Sequence, residues 1–284
     1  MSSDLDRTSA PAATAPQTHA EGLPRPASRP ILGMRVDATS YPDAVDRIVS
    51  WARNREKRYV CIATVNNVME AYDDDAFMRV MNAADLVTPD GMPLVWGLRA
   101  LGVRDASRVY GPDLTPLVLR AAADAGIPVG FHGGAPDVLD ELVEVSRERF
   151  PGLEVAYAWS PPFRPLTPDE ERSVTDRINA SGARIVFVGL GCPKQERWMF
   201  EHRADVAAVT IGVGAAFDFM TNRKRQAPAA MQRAGLEWLF RLATEPRRLW
   251  RRYLRHNPRF VVLFSLQMLR ARLGAMRIDG GGTR

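Results

Sequence analysis

The sequence predicts an α/β fold: a mainly parallel, Rossmann-like sheet flanked by helices, followed by a helical, basic C-terminal appendage. Three observations carry this reading. Short β-branched apolar runs alternate with helical stretches of about 10 to 15 residues, the rhythm of right-handed β-α-β units. Three of those runs stop at glycines, in PVGFHGGAPDVL (residues 128–139), VFVGLGCPKQERW (residues 186–198) and VTIGVGAAFDF (residues 209–219). From Ala229 onward the pattern is helical only.

Taken in order, residues 31–38 read as a short strand or hairpin edge. Residues 42–53 carry helical spacing at Ala44, Val45, Ile48, Val49 and Ala52. Residues 58–64 read as a buried strand and 68–82 as helix, with the acidic run Asp73, Asp74, Asp75 lying between two helical segments. A short strand at 85–88 ends in Pro89, Asp90 and Gly91, and helices follow at 94–101 and 112–125. Strands are then expected at 129–132, 154–159, 184–189 and 206–213, with helices at 136–149, 168–180 and 194–202 between them. The expected organisation is a disordered tail at 1–30, rich in Ala, Pro, Ser and Thr, an α/β domain at 31–228, and a membrane-associating appendage at 229–284.

With 284 residues, 46% hydrophobic and 25% charged, the chain is ordinary globular material. The formal charge of +5 is uneven: residues 223–259 hold ten arginines and one lysine against two glutamates. The two cysteines, Cys61 and Cys192, are too few for a disulfide framework and fit a reducing cytoplasm. The sequence starts without the basic and apolar regions of a secretion signal, and the longest apolar candidate, residues 260–269, is half of the roughly 20 residues a membrane span needs.

Glycines at the carboxyl ends of parallel strands suggest a crevice lined by backbone N–H groups, suited to a diphosphate. None of the three turns fits G-x-G-x-x-G; Gly189, Gly191 and Lys194 come nearest, and no G-x-x-x-x-G-K-[ST] string occurs. Thr64 and Asn66 follow an apolar strand, where an asparagine can fix a sugar hydroxyl or else cap the next helix. Asp90, between Pro89 and Gly91, is either a general base on a rigid elbow or a turn-forming aspartate. Arg108 suits a phosphate or carboxylate, or a surface ion pair. His132, beside Gly133, is placed to meet a phosphate or base, or is a satisfied strand-end histidine. Asp73 to Asp75 formally contain an Asp-x-Asp pair, yet their position favours a helix N-cap with a solvated acidic run. His19, His202 and His256 are too scattered for a metal site.

The appendage interleaves Trp238, Leu239, Leu242, Leu249, Trp250, Tyr253 and Leu254 with arginines at roughly helical spacing. That pattern suits an anionic membrane interface, or packing on the body or a second subunit. Nucleic acid ranks lowest, because no recognised binding motif accompanies the charge. The residues alone leave open a nucleotide-dependent oxidoreductase, a non-catalytic nucleotide-sugar-binding protein and a transferase.

Seven strings occurring in order, ATVNNVMEA, ADLVTPDGMPLVW, RVYGPDL, FHGGAP, VFVGLGCPKQERW, GVGAAFDFMTNRKRQAP and GLEWLFRLATEPRRLWRRYL, resemble the WecG/TagA/CpsF family of bacterial glycosyltransferases over about residues 31–260. The resemblance implies inverting transfer, without a metal or other cofactor, from a UDP-sugar donor to a polyprenyl-diphosphate-linked sugar in surface or exopolysaccharide biosynthesis. The sugar would be N-acetylmannosamine, its uronic acid or glucose. The enzyme would work in the cytoplasm, peripherally on the inner face of the membrane, with its oligomeric state open. By matched position, Asp90 takes the general-base role with Thr64 and Asn66 beside it, and Arg108 and Gln195 are further polar site residues. The Gly133, Gly134 and Gly191 loops take the diphosphate, and Arg241, Arg248 and Arg251 close over the donor phosphates.

Overall fold

A computed structural model describes residues 23–279. The tail expected at 1–30 therefore lies mostly outside the described residues, as does the end of the appendage at 280–284. Residues 28–30, placed in that tail, belong instead to the first strand.

That strand, β1 (Ser28–Ile31), pairs antiparallel with β2 (Met34–Asp37) through the turn Leu32–Gly33. Both turn residues have positive φ, 50° and 89°, the backbone that matches strand twist in a two-residue hairpin. α1 (Tyr41–Arg53) starts where the Ser40 hydroxyl accepts the Asp43 N–H and Pro42 occupies the first turn. The core strands follow: β3 (Arg58–Ala63), β4 (Leu86–Pro89), β5 (Val129–Gly133), β6 (Val155–Trp159), β7 (Ile185–Gly189) and β8 (Val209–Gly212). They form one six-stranded sheet in the order β4-β3-β8-β7-β5-β6, and every pairing is parallel.

The intervening helices are α2 (Val65–Asp73), α3 (Asp75–Ala83), α4 (Met92–Ala100), α5 (Gly111–Asp124), α6 (Pro136–Arg149), α7 (Pro168–Ser181), α8 (Lys194–Glu201) and α9 (Ala216–Met220). The helical region expected at 68–82 is two helices, divided at the acidic run as read from the sequence. Asp74 divides them, its carboxylate accepting the N–H groups of Ala76 and Phe77 to start α3. One face of the sheet buries Tyr59, Met69, Phe77, Leu94, Val188 and Trp198; the other buries Ile62, Val118, Phe131, Phe187, Ile211 and Phe217. Strands covered on both faces explain why their sequences read as continuous apolar runs rather than alternating ones.

The C-terminal segment holds α10 (Ala229–Arg233), α11 (Glu237–Thr244) and α12 (Pro246–Asp279). It is fastened to the body. Phe260 and Leu249 are buried, Phe260 within the same core as Tyr59. Arg259 makes a two-pronged ion pair with Asp73 at 2.7 and 2.8 Å, joining α12 to α2. Farther along, Gln267 accepts the Leu32 N–H at 2.9 Å and donates to the Pro30 carbonyl at 2.8 Å, tying α12 to the β1–β2 hairpin.

Candidate active site at the carboxyl edge of the sheet

Strand order lines up the loops after β4, β3, β8, β7 and β5 along one edge, the usual ligand side of such a sheet. After β5 the chain turns to one face as α6, and after β7 to the other as α8, so a crevice opens where these loops diverge. Gly133 sits at that point with φ +106°, and an added Cβ would lie 2.8 Å from the Gly189 carbonyl carbon. Gly191 has φ +80° with nothing within 4 Å of the Cβ position, so its neighbourhood is open.

Three of the glycine N–H groups at these loops are already paired within the protein. The Gly134 N–H donates to Gly189 O at 3.2 Å, and the N–H groups of Gly191 and Gly214 both donate to Gln195 Oε1 at 3.1 Å. Gly134, Gly191 and Gly214 therefore supply room and backbone shape rather than free donors.

Gln195, expected among the substrate-binding residues, is the buried clamp that takes the N–H groups of Gly191 and Gly214. Its other end donates from Nε2 to Glu196 Oε1 at 3.0 Å, and Asn67 Nδ2 donates to the same oxygen at 3.1 Å. Asn67 Oδ1 in turn accepts the Thr64 N–H at 3.1 Å and the Thr64 hydroxyl at 2.9 Å. One hydrogen-bonded chain thus joins the loops after β3, β7 and β8, with Glu196 at its centre. Burial pushes the Glu196 carboxyl above the ordinary range, against the hydrogen bonds that favour its charged form. Asn66 stands at the rim: Nδ2 donates to Cys192 Sγ at 3.4 Å, while Oδ1 is buried without a protein partner. An acceptor in that condition suits a ligand hydroxyl or amide.

A second group gathers around the end of β4. The Asp90 N–H donates to Ala63 O at 2.9 Å, which fixes this residue beside β3. Its carboxylate lies 3.4 Å from Arg108 Nη2 and accepts the Gly111 N–H at 3.5 Å. Burial is the largest influence on the carboxyl and lifts its pKa from 3.8 to about 6, although Arg108 pulls the other way. Arg108 has few donors to spare for a ligand. Nε donates to Asp90 O, Nη1 to Gln232 Oε1 at 3.2 Å, and Nη2 to Glu237, while the Tyr110 ring lies 4.1 Å from the guanidinium carbon. Arg241 enters from α11, largely buried, and its Nε has no partner.

The remaining expected residues lie elsewhere. Arg248 pairs with Glu245 at 2.6 Å, and Arg251 is exposed with its guanidinium 5.2 Å from the Trp250 ring centre. His132 is 1% exposed; its ring stacks 4.5 Å from Trp198 and Nδ1 lies 3.2 Å from the Tyr157 hydroxyl. Burial, then the charges of His202 and Arg177, lower its pKa to about 3, so it is a neutral core histidine rather than a phosphate contact. Burial raises the Cys192 thiol, which keeps it unreactive. Within the acidic run, Asp74 is the N-cap of α3, as read from the sequence, and also pairs with Arg197 at 2.6 Å; Asp73 pairs with Arg259, and Asp75 is exposed at the first position of α3.

Glu196, Glu237 and Tyr110 are not picked out from sequence, and Asn67 reads there only as a helix cap, a role it does fill with Thr64. Glu237 carries a visible signal, an acidic residue amid ten arginines. Glu196 carries none, since a glutamate in the first turn of a helix normally faces water.

The family model described as Glycosyl transferase WecG/TagA/CpsF family matches residues 29–274. The N-acetylglucosaminyldiphosphoundecaprenol N-acetyl-beta-D-mannosaminyltransferase of Bacillus spizizenii (strain ATCC 23059 / NRRL B-14472 / W23) is 36% identical over 186 residues, covering 65% of this chain and 70% of that protein.

Proposed function

The chain belongs to the WecG/TagA/CpsF family of glycosyl transferases, and from that premise we propose that it moves a sugar from a UDP donor to a polyprenyl-diphosphate-linked N-acetylglucosamine, with inversion and without a metal. Membership makes it a glycosyltransferase, which displaces the oxidoreductase and the non-catalytic binder. The name of the Bacillus relative supports the lipid-linked acceptor and an N-acetylmannosamine-type donor sugar.

The observation that carries the mechanism is the setting of Asp90: a carboxyl at a strand end, only 15% exposed, 3.4 Å from Arg108 and near Arg241, where burial lifts its pKa to about 6. Ionised at neutral pH, it accepts the proton of the acceptor hydroxyl as that oxygen bonds to the anomeric carbon. The bond from that carbon to the UDP phosphate oxygen breaks on the opposite face, and UDP leaves with the electron pair. Direct displacement of this kind inverts the anomeric centre. Negative charge grows on the leaving diphosphate, and arginines can stabilise it as a cation would. Arg241 is the best-placed donor, its Nε unpartnered; Arg248 and Arg251 lie on the next helix and reach the phosphates only after rearranging. Asn66 Oδ1 serves a sugar hydroxyl or N-acetyl N–H, and the space beside Gly191 admits the diphosphate.

Attachment to the membrane is the second part of the proposal. No described helix is long and apolar enough to cross a bilayer. Yet Trp250, Leu254, Val261, Val262, Leu269 and Leu273 of α12 are exposed among arginines, and such a surface enters an anionic interface without spanning it. The lipid-linked acceptor would be met there, on the cytoplasmic face. The test is incubation with a panel of UDP-sugars and a short-chain polyprenyl-diphospho-N-acetylglucosamine, followed by mass spectrometry and NMR of the new linkage. A β-configured product from an α-linked donor is expected; retention, or no transfer with any donor, would defeat the proposal.

A further inference from the structure

Of the two glutamates among the arginines of residues 223–259, Glu245 is satisfied locally by Arg248 at 2.6 Å. Glu237, the first residue of α11, points into the site. Its carboxylate takes the same Arg108 nitrogen, Nη2, that lies 3.4 Å from Asp90 Oδ1. All three side chains are shielded, with 14% or 15% of each exposed. Two carboxylates therefore share one guanidinium, and the other Arg108 donors are committed to Asp90 O and Gln232. The cation cannot swing into a two-pronged grip on Asp90 without leaving Glu237.

We infer that Glu237 is a positioning residue for sugar transfer, which holds Arg108 partly away from Asp90 and so keeps the base strong. The inference rests on the reading of Asp90 as general base. An arginine given wholly to one carboxylate stabilises its charged form and weakens it as a base; dividing the arginine, and adding a second negative charge nearby, does the reverse. The groups facing Asp90 agree with this balance. Arg108 and the Gly111 N–H favour its ionised form, as does Arg241 of α11, whereas burial and Glu237 oppose it. From β3 the contact is the Ala63 carbonyl, which takes the Asp90 N–H. Because Glu237 belongs to the C-terminal segment, the base reaches working strength only with α11 docked.

The experiment uses the full chain and three variants, Glu237→Gln, Glu237→Asp and Asp90→Asn, each assayed for transfer from pH 4.5 to 9 (about the span that brackets a base of this kind) and for the thermal shift given by UDP. In Glu237→Gln the acid limb of kcat/KM is expected to move down by about half a unit to one unit, as for loss of a neighbouring like charge. Plateau kcat should drop roughly 2- to 10-fold, the Brønsted consequence of a base weaker by that much, with donor KM little changed. Glu237→Asp should recover most of both, and UDP should stabilise all three proteins alike. An unmoved acid limb in Glu237→Gln, a change confined to KM, or a rise in kcat/KM from tighter donor binding would overturn the inference, the last by showing Glu237 to be an obstruction. The two readings fail separately. Asp90→Asn losing less than about tenfold removes the base itself, whereas an inactive Asp90→Asn with an unmoved Glu237→Gln limb removes only the role of Glu237.

Discussion

Replacing Asp90 with asparagine should make the protein more stable at neutral pH while nearly abolishing transfer. Asparagine keeps the shape of the side chain and can still accept the Gly111 N–H, so the turn after β4 survives. What it removes is a charge held in a buried place. The folded-state pKa, about 6, lies above the ordinary value of 3.8. Between those values the folded protein binds more protons at this site than the unfolded chain, so stability falls as pH rises through the window. A gap of about two units at about 1.4 kcal/mol each means that ionised Asp90 costs roughly 3 kcal/mol above pH 6. That figure is already net of the attraction to Arg108, so what offsets part of it is the poorer fit of an amide beside the guanidinium, which keeps Glu237, Gln232 and the Tyr110 ring. A net gain of about 1 to 2 kcal/mol corresponds to a rise of roughly 2 to 8 °C in melting temperature for a chain of this size. Circular dichroism melts from pH 4 to pH 8 would show the variant gaining on the parent as pH rises, alongside a transfer rate lower by about 100- to 10,000-fold. A variant that is less stable at pH 8 and retains more than a tenth of its activity would refute the reasoning, leaving Asp90 a turn residue.

Three further outcomes can be checked on the same preparation. Gly133→Ala should abolish UDP-induced stabilisation and lower the melting temperature, because its Cβ would meet the Gly189 backbone at 2.8 Å and its φ of +106° strains any L side chain; a normal UDP shift would mean the crevice lies elsewhere. Transfer should persist in EDTA, since Asp73 pairs with Arg259 and Asp74 with Arg197 and the α3 start, leaving Asp75 as a lone exposed carboxylate; strong loss restored by magnesium or manganese would contradict this. Binding to anionic vesicles should weaken as salt rises and leave a residual apolar component, and indifference to such vesicles at low salt would rule out attachment through α12.

The fold was legible because the inner strands are buried on both faces and so spell uninterrupted apolar runs, with glycines marking the ends of β5, β7 and β8. The strand ends at Thr64, Asp90, Gly133 and Gly189 followed directly. Partnerships across the fold were not legible. Gly191 reads as a phosphate-binding glycine until Gln195 is seen to occupy its N–H, and His132 reads as a site residue until Trp198 is seen stacked on it. The appendage looked separable because its helices are amphipathic by themselves; that α12 inserts Phe260 among residues of the first half depends on a three-dimensional match that periodicity does not encode. Glu196 escaped for a related reason, since only the amides of Asn67 and Gln195 make a buried glutamate tolerable there.

The clasp of Gln267 on the β1–β2 hairpin bears on the order in which the molecule assembles. Its two hydrogen bonds span 235 and 237 residues of sequence, and closing so long a loop is entropically unfavourable until the intervening sheet has drawn the ends together. The parallel core must therefore condense first, with the hairpin and the last helix fastening afterwards as a buckle. α11 lies between the sheet and α12 in the chain and docks on Arg108 with this late-fastening segment, so the same closure that ties the termini together also completes the surroundings of Asp90.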